Sequence, residues 1–290
     1  MVSKRAWALT AVAWLALASA GGASDLAAAI AEAKRLVSAG MSQAALDRLT
    51  PLAVGPATAR VTAELAAIRF QNRDFAGAAD AYQRLAELAP DNAVVKRNLL
   101  IALYRCERFE AAEQVVNELG EATVGSDARA LAVRGLLAAQ RGDHQKALED
   151  LEAAEALDTE DTFAIYELGL YHLAQGAPDQ ATAALREAVR RNPESSSAHY
   201  NLGQALVRAG DAAAGRAAFA RATEISNRAN AEQTRRSRGV ALAVRAQERL
   251  AAGDAAAALR DLDSALEVFP DDPQLGQLRT QALAAQAPTP

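Results

Sequence analysis

The sequence predicts an all-α chain, a tandem array of about seven helix–turn–helix units closed by a C-terminal capping helix. Three observations carry that expectation. A column of turn residues recurs at Gly40, Arg73, Glu107, Gly142, Gly176, Gly210 and Gly253, at intervals of 33, 34, 35, 34, 34 and 43 residues. Five residues after each stands a small one: Ala45, Ala78, Ala112, Ala147, Ala181, Gly215 and Ala258. Four residues later comes a large apolar one: Leu49, Tyr82, Val116, Leu151, Leu185, Phe219 and Leu262. Recurrence at this period marks an architecture in which each unit buries its apolar face only against its neighbours.

Composition agrees. Apolar residues make up 51% of the 290, but aromatics only 4%. A core of alanine and leucine suits helices packed at short range. The formal charge of −5 comes from 31 basic and 36 acidic residues that are interspersed. No clustered basic face invites a nucleic acid, because phosphate binding needs concentrated positive charge. Cys106 is the only cysteine, so no disulfide framework exists and it reads as a small apolar filler.

Taken from the N-terminus, residues 1–20 read as a secretory signal peptide. Lys4 and Arg5 precede an apolar run from Ala6 to Leu17, and Ala18-Ser19-Ala20 has the small-x-small pattern of a cleavage site. Cleavage near Ala20 would place the mature chain outside the cytoplasm, in the periplasm of a bacterial cell. The rival reading keeps Ala6–Ala20 as a membrane tether, although a span needs about 20 apolar residues.

After a short segment, 21–25, the units are 26–58, 59–92, 93–127, 128–161, 162–195, 196–238 and 239–272. In each, the left-handed turn ends the first helix, and Asp74, Asp143, Asp211 or Asp254 can cap the second. Seven residues before the turn lie Ala33, Ala66, Leu100, Gly135, Gly169, Gly203 and Ala246, nearly all small, where two backbones approach. Pro90, Pro193 and Pro270 fall near the ends of their units and stop the second helix. The sixth unit carries an insertion, Arg228 to Arg238, basic through Arg228, Arg235, Arg236 and Arg238; it reads as a soluble loop or helix extension, or as a contact for an acidic partner or anionic lipid headgroups. A helix over 273–285, with Leu275, Leu278, Ala282 and Leu283 on one face, should cover the end of the array, and 286–290 is a tail.

Leu202-Gly203 with Gly210-Asp211, Phe219 and Ala222, and Leu168-Gly169 with Ala181, Ala188 and Pro193, resemble tetratricopeptide repeats. The resemblance covers residues 26–272, and the chain is identified as an exported bacterial-type member of that family. Gly215 stands where alanine is usual, the large aromatic early in the first helix is missing, and Arg134 and Arg245 replace leucine. The resemblance implies a non-enzymatic scaffold for partner proteins, with first helices lining a concave groove. It also makes Arg97-Asn98 look like half of a clamp for a peptide's terminal carboxylate, with Val133 where the second asparagine would stand.

Residues carrying chemistry are sparse. His144, His172 and His199 share no metal-ligand spacing, so neither metal nor cofactor is expected. Gly210 to Ala217 has two spaced glycines but lacks the lysine and hydroxyl of a phosphate loop. Glu149, Asp150, Glu152, Glu155, Asp158, Glu160 and Asp161 read as a solvated acidic face.

Helical spacing assigns the groove to Arg97, Asn98, Ile101, Tyr104 and Arg105 of the third unit, with Val94 beside them. Leu136 follows from the fourth, flanked by Arg129 and Gln140. The fifth offers Phe163, Tyr166, Leu170 and Leu173, and the sixth Tyr200, Gln204 and Val207, with Ser197 and Arg208. Aromatics and arginine on such a wall supply the rigid contact area found at binding hot spots. Peptide or helical segments of partner proteins are the expected ligands, in envelope assembly, secretion or complex maturation. A small-ligand receptor is the weaker alternative, since the convergent polar groups of a reactive site are absent.

Overall fold

A computed structural model describes residues 23–54, 58–157 and 160–286. The expected signal segment 1–20, Asp158 and the last tail residues lie outside them. Among the described residues the chain is entirely helix and turn. The helices are α1 (Ala23–Ser38), α2 (Ser42–Leu49), α3 (Thr58–Gln71), α4 (Phe75–Leu88), α5 (Ala93–Arg105), α6 (Phe109–Leu119), α7 (Glu121–Ser126) and α8 (Ala128–Gln140). They continue as α9 (His144–Leu157), α10 (Phe163–Ala174), α11 (Pro178–Arg191), α12 (Ser196–Arg208), α13 (Ala212–Ala251), α14 (Ala255–Leu266) and α15 (Pro273–Gln286). None is long and apolar enough to cross a membrane. Two compact bodies result: a central one, Leu65–Ala229, and a terminal one, in which residues up to Glu64 join those from Asn230 onward.

All seven turn-column residues adopt the left-handed conformation, including Arg73 (φ 63°) and Glu107 (φ 62°). At each, the next N–H bonds the carbonyl five residues back, at 2.8 to 3.0 Å. This arrangement satisfies carbonyls that a helix end leaves open and reverses the chain within three residues. Asp74, Asp143, Asp211 and Asp254 then accept a backbone N–H of the following helix at 2.9 to 3.1 Å. Where no aspartate follows the turn, as at α11, Pro178 occupies the first helical turn instead.

The small and large columns meet sixteen residues apart. A Cβ added at Gly169 would lie 2.7 Å from Leu185 Cγ, and one at Gly203 would lie 2.7 Å from the Phe219 ring. Ala45, Ala78, Ala112, Ala147, Ala181 and Ala258 are fully buried, as are Leu49, Leu151, Leu185 and Leu262. Removal of the small side chain lets the first helix approach the second until the large one fills the seam.

A second pair of columns, one residue earlier in each helix, explains Arg134 and Arg245. Buried apolar pairs occupy it at Leu65 and Ala81, Leu99 and Val115, Leu168 and Ala184, and Leu202 and Ala218. In the first, fourth and seventh units the pair is ionic. Arg48 donates to Glu32 at 2.8 Å, Arg134 grips Asp150 with two bonds of 2.8 Å, and Arg245 grips Asp261 at 2.7 and 2.6 Å. Each leucine-to-arginine change is matched by an aspartate across the seam. Asp150, expected on a solvated face, is therefore almost wholly buried, and Glu155 and Asp161 of the same stretch are bonded to Arg191 and Arg129. Burial alone would raise the pKa of Asp150, but hydrogen bonds from Arg134 and Lys146 hold it below the ordinary carboxylate value. The Arg245 hydrogen bond likewise lowers that of Asp261.

Two units differ from a plain pair of helices. Gly120, at φ 76°, breaks the third unit's second helix and starts the six-residue α7. Of the two forms expected for the sixth unit's insertion, loop or helix extension, the chain adopts the extension: α13 runs unbroken for 40 residues through Arg228–Arg238 into the seventh unit. Alanine-rich sequence without glycine turn or proline offers no stop there. In the terminal body, α1 packs with the last units: Arg35 bonds Asp272 at 2.5 Å, and the Ser237 hydroxyl donates to the Ala39 carbonyl. Leu275 and Ala282 of α15 are buried, whereas Leu283 is exposed.

Leu185→Ala should cost about 2–5 kcal/mol in denaturant unfolding. Gly169→Ala alone should also destabilise, by overpacking, yet should restore part of the loss when added to Leu185→Ala, because its methyl then fills the vacated space. Loss of Asp150 alone (Asp150→Ala) leaves the Arg134 guanidinium with only the exposed Glu121, 2.7 Å away, and should cost about 1–3 kcal/mol. The double change Arg134→Leu with Asp150→Ala copies the apolar pairs of other units and should recover that loss. Since the folded Asp150 titrates lower than in the unfolded chain, its stabilisation is present at neutral pH and lost as pH falls below about 3.9. Urea unfolding between pH 7 and pH 3 should show a shallower fall for the double variant than for the parent.

Candidate functional site

A cleft of about 580 Å³ opens in the central body. One wall comes from the α3–α4 turn, which contributes Phe70, Arg73 and Phe75, with Phe70 and Phe75 in edge contact at 5.1 Å between centroids. Ile101 and Arg105 of α5 and Arg129 of α8 form the next part. The floor is the start of α10, with Phe163, Tyr166 and Glu167. Asn192, Ser195 and Ser197 close the far rim.

Two guanidiniums, those of Arg105 and Arg129, lie over the Phe163 ring, each 5.9 Å from its centroid. Cations prefer that position over the electron-rich ring face. Arg129 is fixed in turn by Asp161, the residue two before Phe163. Burial would raise the Asp161 pKa, but the Arg129 hydrogen bond and the N–H groups of Phe163 and Thr162 bring it below the ordinary value. Arg105 pairs with Glu167, which is only 3% exposed. There burial wins over the partner, and the Glu167 carboxyl is raised above its usual range. Tyr166 is half-buried, and its hydroxyl accepts a 2.7 Å hydrogen bond from Asn201.

Of the residues expected from helical spacing, Ile101, Arg105, Phe163 and Tyr166 line this cleft, with Arg129 and Ser197. Arg97 lines a separate polar hollow of about 230 Å³ and bonds Asp127 at 3.0 Å. Val133, at the position of the implied clamp's second asparagine, is fully buried, and Asn98 is half-buried on α5. Tyr104 packs on Phe109, 5.7 Å away, and Leu136 and Leu173 are buried in the core. Leu170 packs partly buried beside Tyr166. Tyr200 lies over Phe219 at 5.3 Å, with Val207 exposed on the same helix and Gln204 half-buried between them. Helical spacing missed Phe70, Arg73, Phe75 and Glu167. Arg73 carried a signal, as one of two side chains in a column otherwise made of glycine.

Two family models described as tetratricopeptide repeat match residues 69–137 and 166–230. Among solved structures, the chain is similar to the APC/C hetero-tetramer Cut9–Hcn1, at 16% identity and a TM-score of 0.51 over 89% of this chain and 48% of that one. A tetratricopeptide repeat protein from Parabacteroides merdae ATCC 43184 gives 15% identity and a TM-score of 0.44, covering 88% of this chain and 97% of that one. MamA from Desulfovibrio magneticus RS-1 gives 21% and 0.42, covering 58% and 95%. No curated protein matches the chain.

The buried charge on the cleft floor has a measurable signature. An acid whose folded pKa is raised contributes stability at low pH that is lost as pH rises through that value. Glu167→Gln should therefore raise the thermal midpoint at pH 7, with the difference from the parent shrinking as the solution is acidified toward pH 4.

Proposed function

We propose that this chain, which belongs to the tetratricopeptide repeat family, holds peptide or helical segments of partner proteins in the central cleft after export from the cytoplasm. The repeats make the chain a protein-interaction scaffold. What supports the cleft as the place of capture is its chemistry. Phe70, Phe75, Phe163 and Tyr166 gather there from turns and helices far apart in sequence, although aromatics make up only 4% of the chain. Aromatic rings rimmed by arginine are the residues that dominate binding energy at protein interfaces. The Arg105 and Arg129 contacts hold Phe163 in place before any partner arrives, which reduces the ordering cost of association.

Export is supported by the order of Lys4 and Arg5, the apolar run to Leu17, and Ala18-Ser19-Ala20. Work in the cell envelope follows from it: assembly, secretion or maturation of complexes there. A mature N-terminus near Gly21 on protein purified from its own envelope is the expected outcome. Retention of Met1 would favour the membrane-tethered adaptor instead.

Phe163→Ala with Tyr166→Ala should preserve helical content and remove partner capture by in-cell crosslinking, with affinity falling by at least about tenfold, since each buried aromatic contributes on the order of 2 kcal/mol. Tyr200→Ala, outside the cleft, serves as the matched control and should capture as the parent does. Equal capture by the double variant would move the site elsewhere on the scaffold.

A further inference from the structure

We propose that the cleft selects acidic segments, and that Arg73 is the residue that reads the acidic side chain. This deepens the reading of the cleft as the capture site and rests on it. The observation begins with the backbone. Five of the seven turns place glycine at the left-handed position, and Arg73 stands there at φ 63°. A side chain in that conformation costs the fold energy that glycine would not. Two turns of the column keep a side chain at this strain, Arg73 and Glu107, and of the two it is Arg73 that stands in the cleft lining, where a side chain has something to act on.

The surroundings say what the use is. Three guanidiniums line the cleft. Arg105 is matched by Glu167 and Arg129 by Asp161. Arg73 is exposed and has no carboxylate within ion-pair distance among the described residues, since the adjacent Asp74 caps α4 and faces Arg69. The lining therefore carries one unmatched positive charge beside a cluster of rings. That combination fits a segment with an aspartate or glutamate next to an apolar anchor, because a charge-assisted bond from guanidinium to carboxylate is strong when water is partly excluded. Glu107, at the other strained turn, lies outside the cleft lining and provides the control.

The test uses the full chain and fluorescein-labelled twelve-residue peptides of one pattern, phenylalanine alternating with glutamate, glutamine, lysine or phosphoserine. The glutamate peptide should bind at least about tenfold tighter than the glutamine one and should weaken as salt is raised. Arg73→Gly should remove that preference, about a tenfold loss for the glutamate peptide, while raising the thermal midpoint by about 2–4 °C through relief of the turn. Glu107→Gly should give the same gain in stability with no loss of binding. Binding lost together with stability in Arg73→Gly would overturn the proposal, as would unchanged affinity in that variant. Equal binding of glutamate and glutamine peptides, with both lost in Phe163→Ala/Tyr166→Ala, would overturn the acidic selection and leave the cleft as the capture site. Binding of the phosphoserine peptide alone would overturn the carboxylate assignment. Absence of binding by every peptide would overturn the proposal, and crosslinking of natural partners would then decide the cleft separately.

Discussion

Everything in this chain depends on two backbones coming close enough that only a hydrogen atom or a methyl group fits between them. Gly169 against Leu185 and Gly203 against Phe219 define that distance, with 2.7 Å left for any added carbon. The left-handed turn between the helices makes the approach possible, because it reverses the chain without a loop and places residues sixteen apart opposite each other. Since each unit uses the same device, the array needs neither a large aromatic core nor disulfides. Its stability is distributed over seams, closed by one small and one large side chain in every unit but the third, where Leu100 takes the small position.

This constraint was legible in the sequence because it acts on single residues at fixed spacing. Gly40, Gly142, Gly176, Gly210 and Gly253 named their own backbone conformation, and Arg73 and Glu107 could be placed by interval alone. The adjacent column was equally available and went unread. Glu32 and Arg48, Arg134 and Asp150, and Arg245 and Asp261 are complementary at the same separation of sixteen. Reading Arg134 and Arg245 as departures from leucine, without asking what stood across the seam, hid the compensation. The same omission put Asp150 on a solvated face. A run of acids on one helix says nothing about which member faces inward until the partner helix is aligned with it.

The cleft was harder to read, for a reason of geometry. Helical spacing ranks the faces of one helix, but the cleft is a property of several units offset from one another. It takes Phe70 and Arg73 from a turn, Phe163 and Tyr166 from the first turn of α10, and Asn192 from beyond the end of α11. Tyr104 and Tyr200 satisfy the inward spacing equally well, yet each packs on an aromatic of its own unit's second helix, Phe109 and Phe219, and neither lines the cleft, although Tyr200 stays half exposed. Which rings share a cleft depends on how neighbouring units are offset, and that is decided by packing.

The polar groups of the two regions are arranged on different terms. Along the seams, each buried acid is overcompensated: Asp150 receives Arg134 and Lys146, and Asp261 receives Arg245 and Arg249, so both carboxylates titrate low. In the cleft the balance is reversed. Glu167 is as deeply buried, yet it has the single partner Arg105, which also leans over Phe163, and its pKa rises. A left-handed arginine stands on the rim of the same cavity. A second left-handed side chain, Glu107, stands outside it. Burial of Glu167 with one cation, against two for each seam acid, is what separates the electrostatics of the cleft from that of the seams.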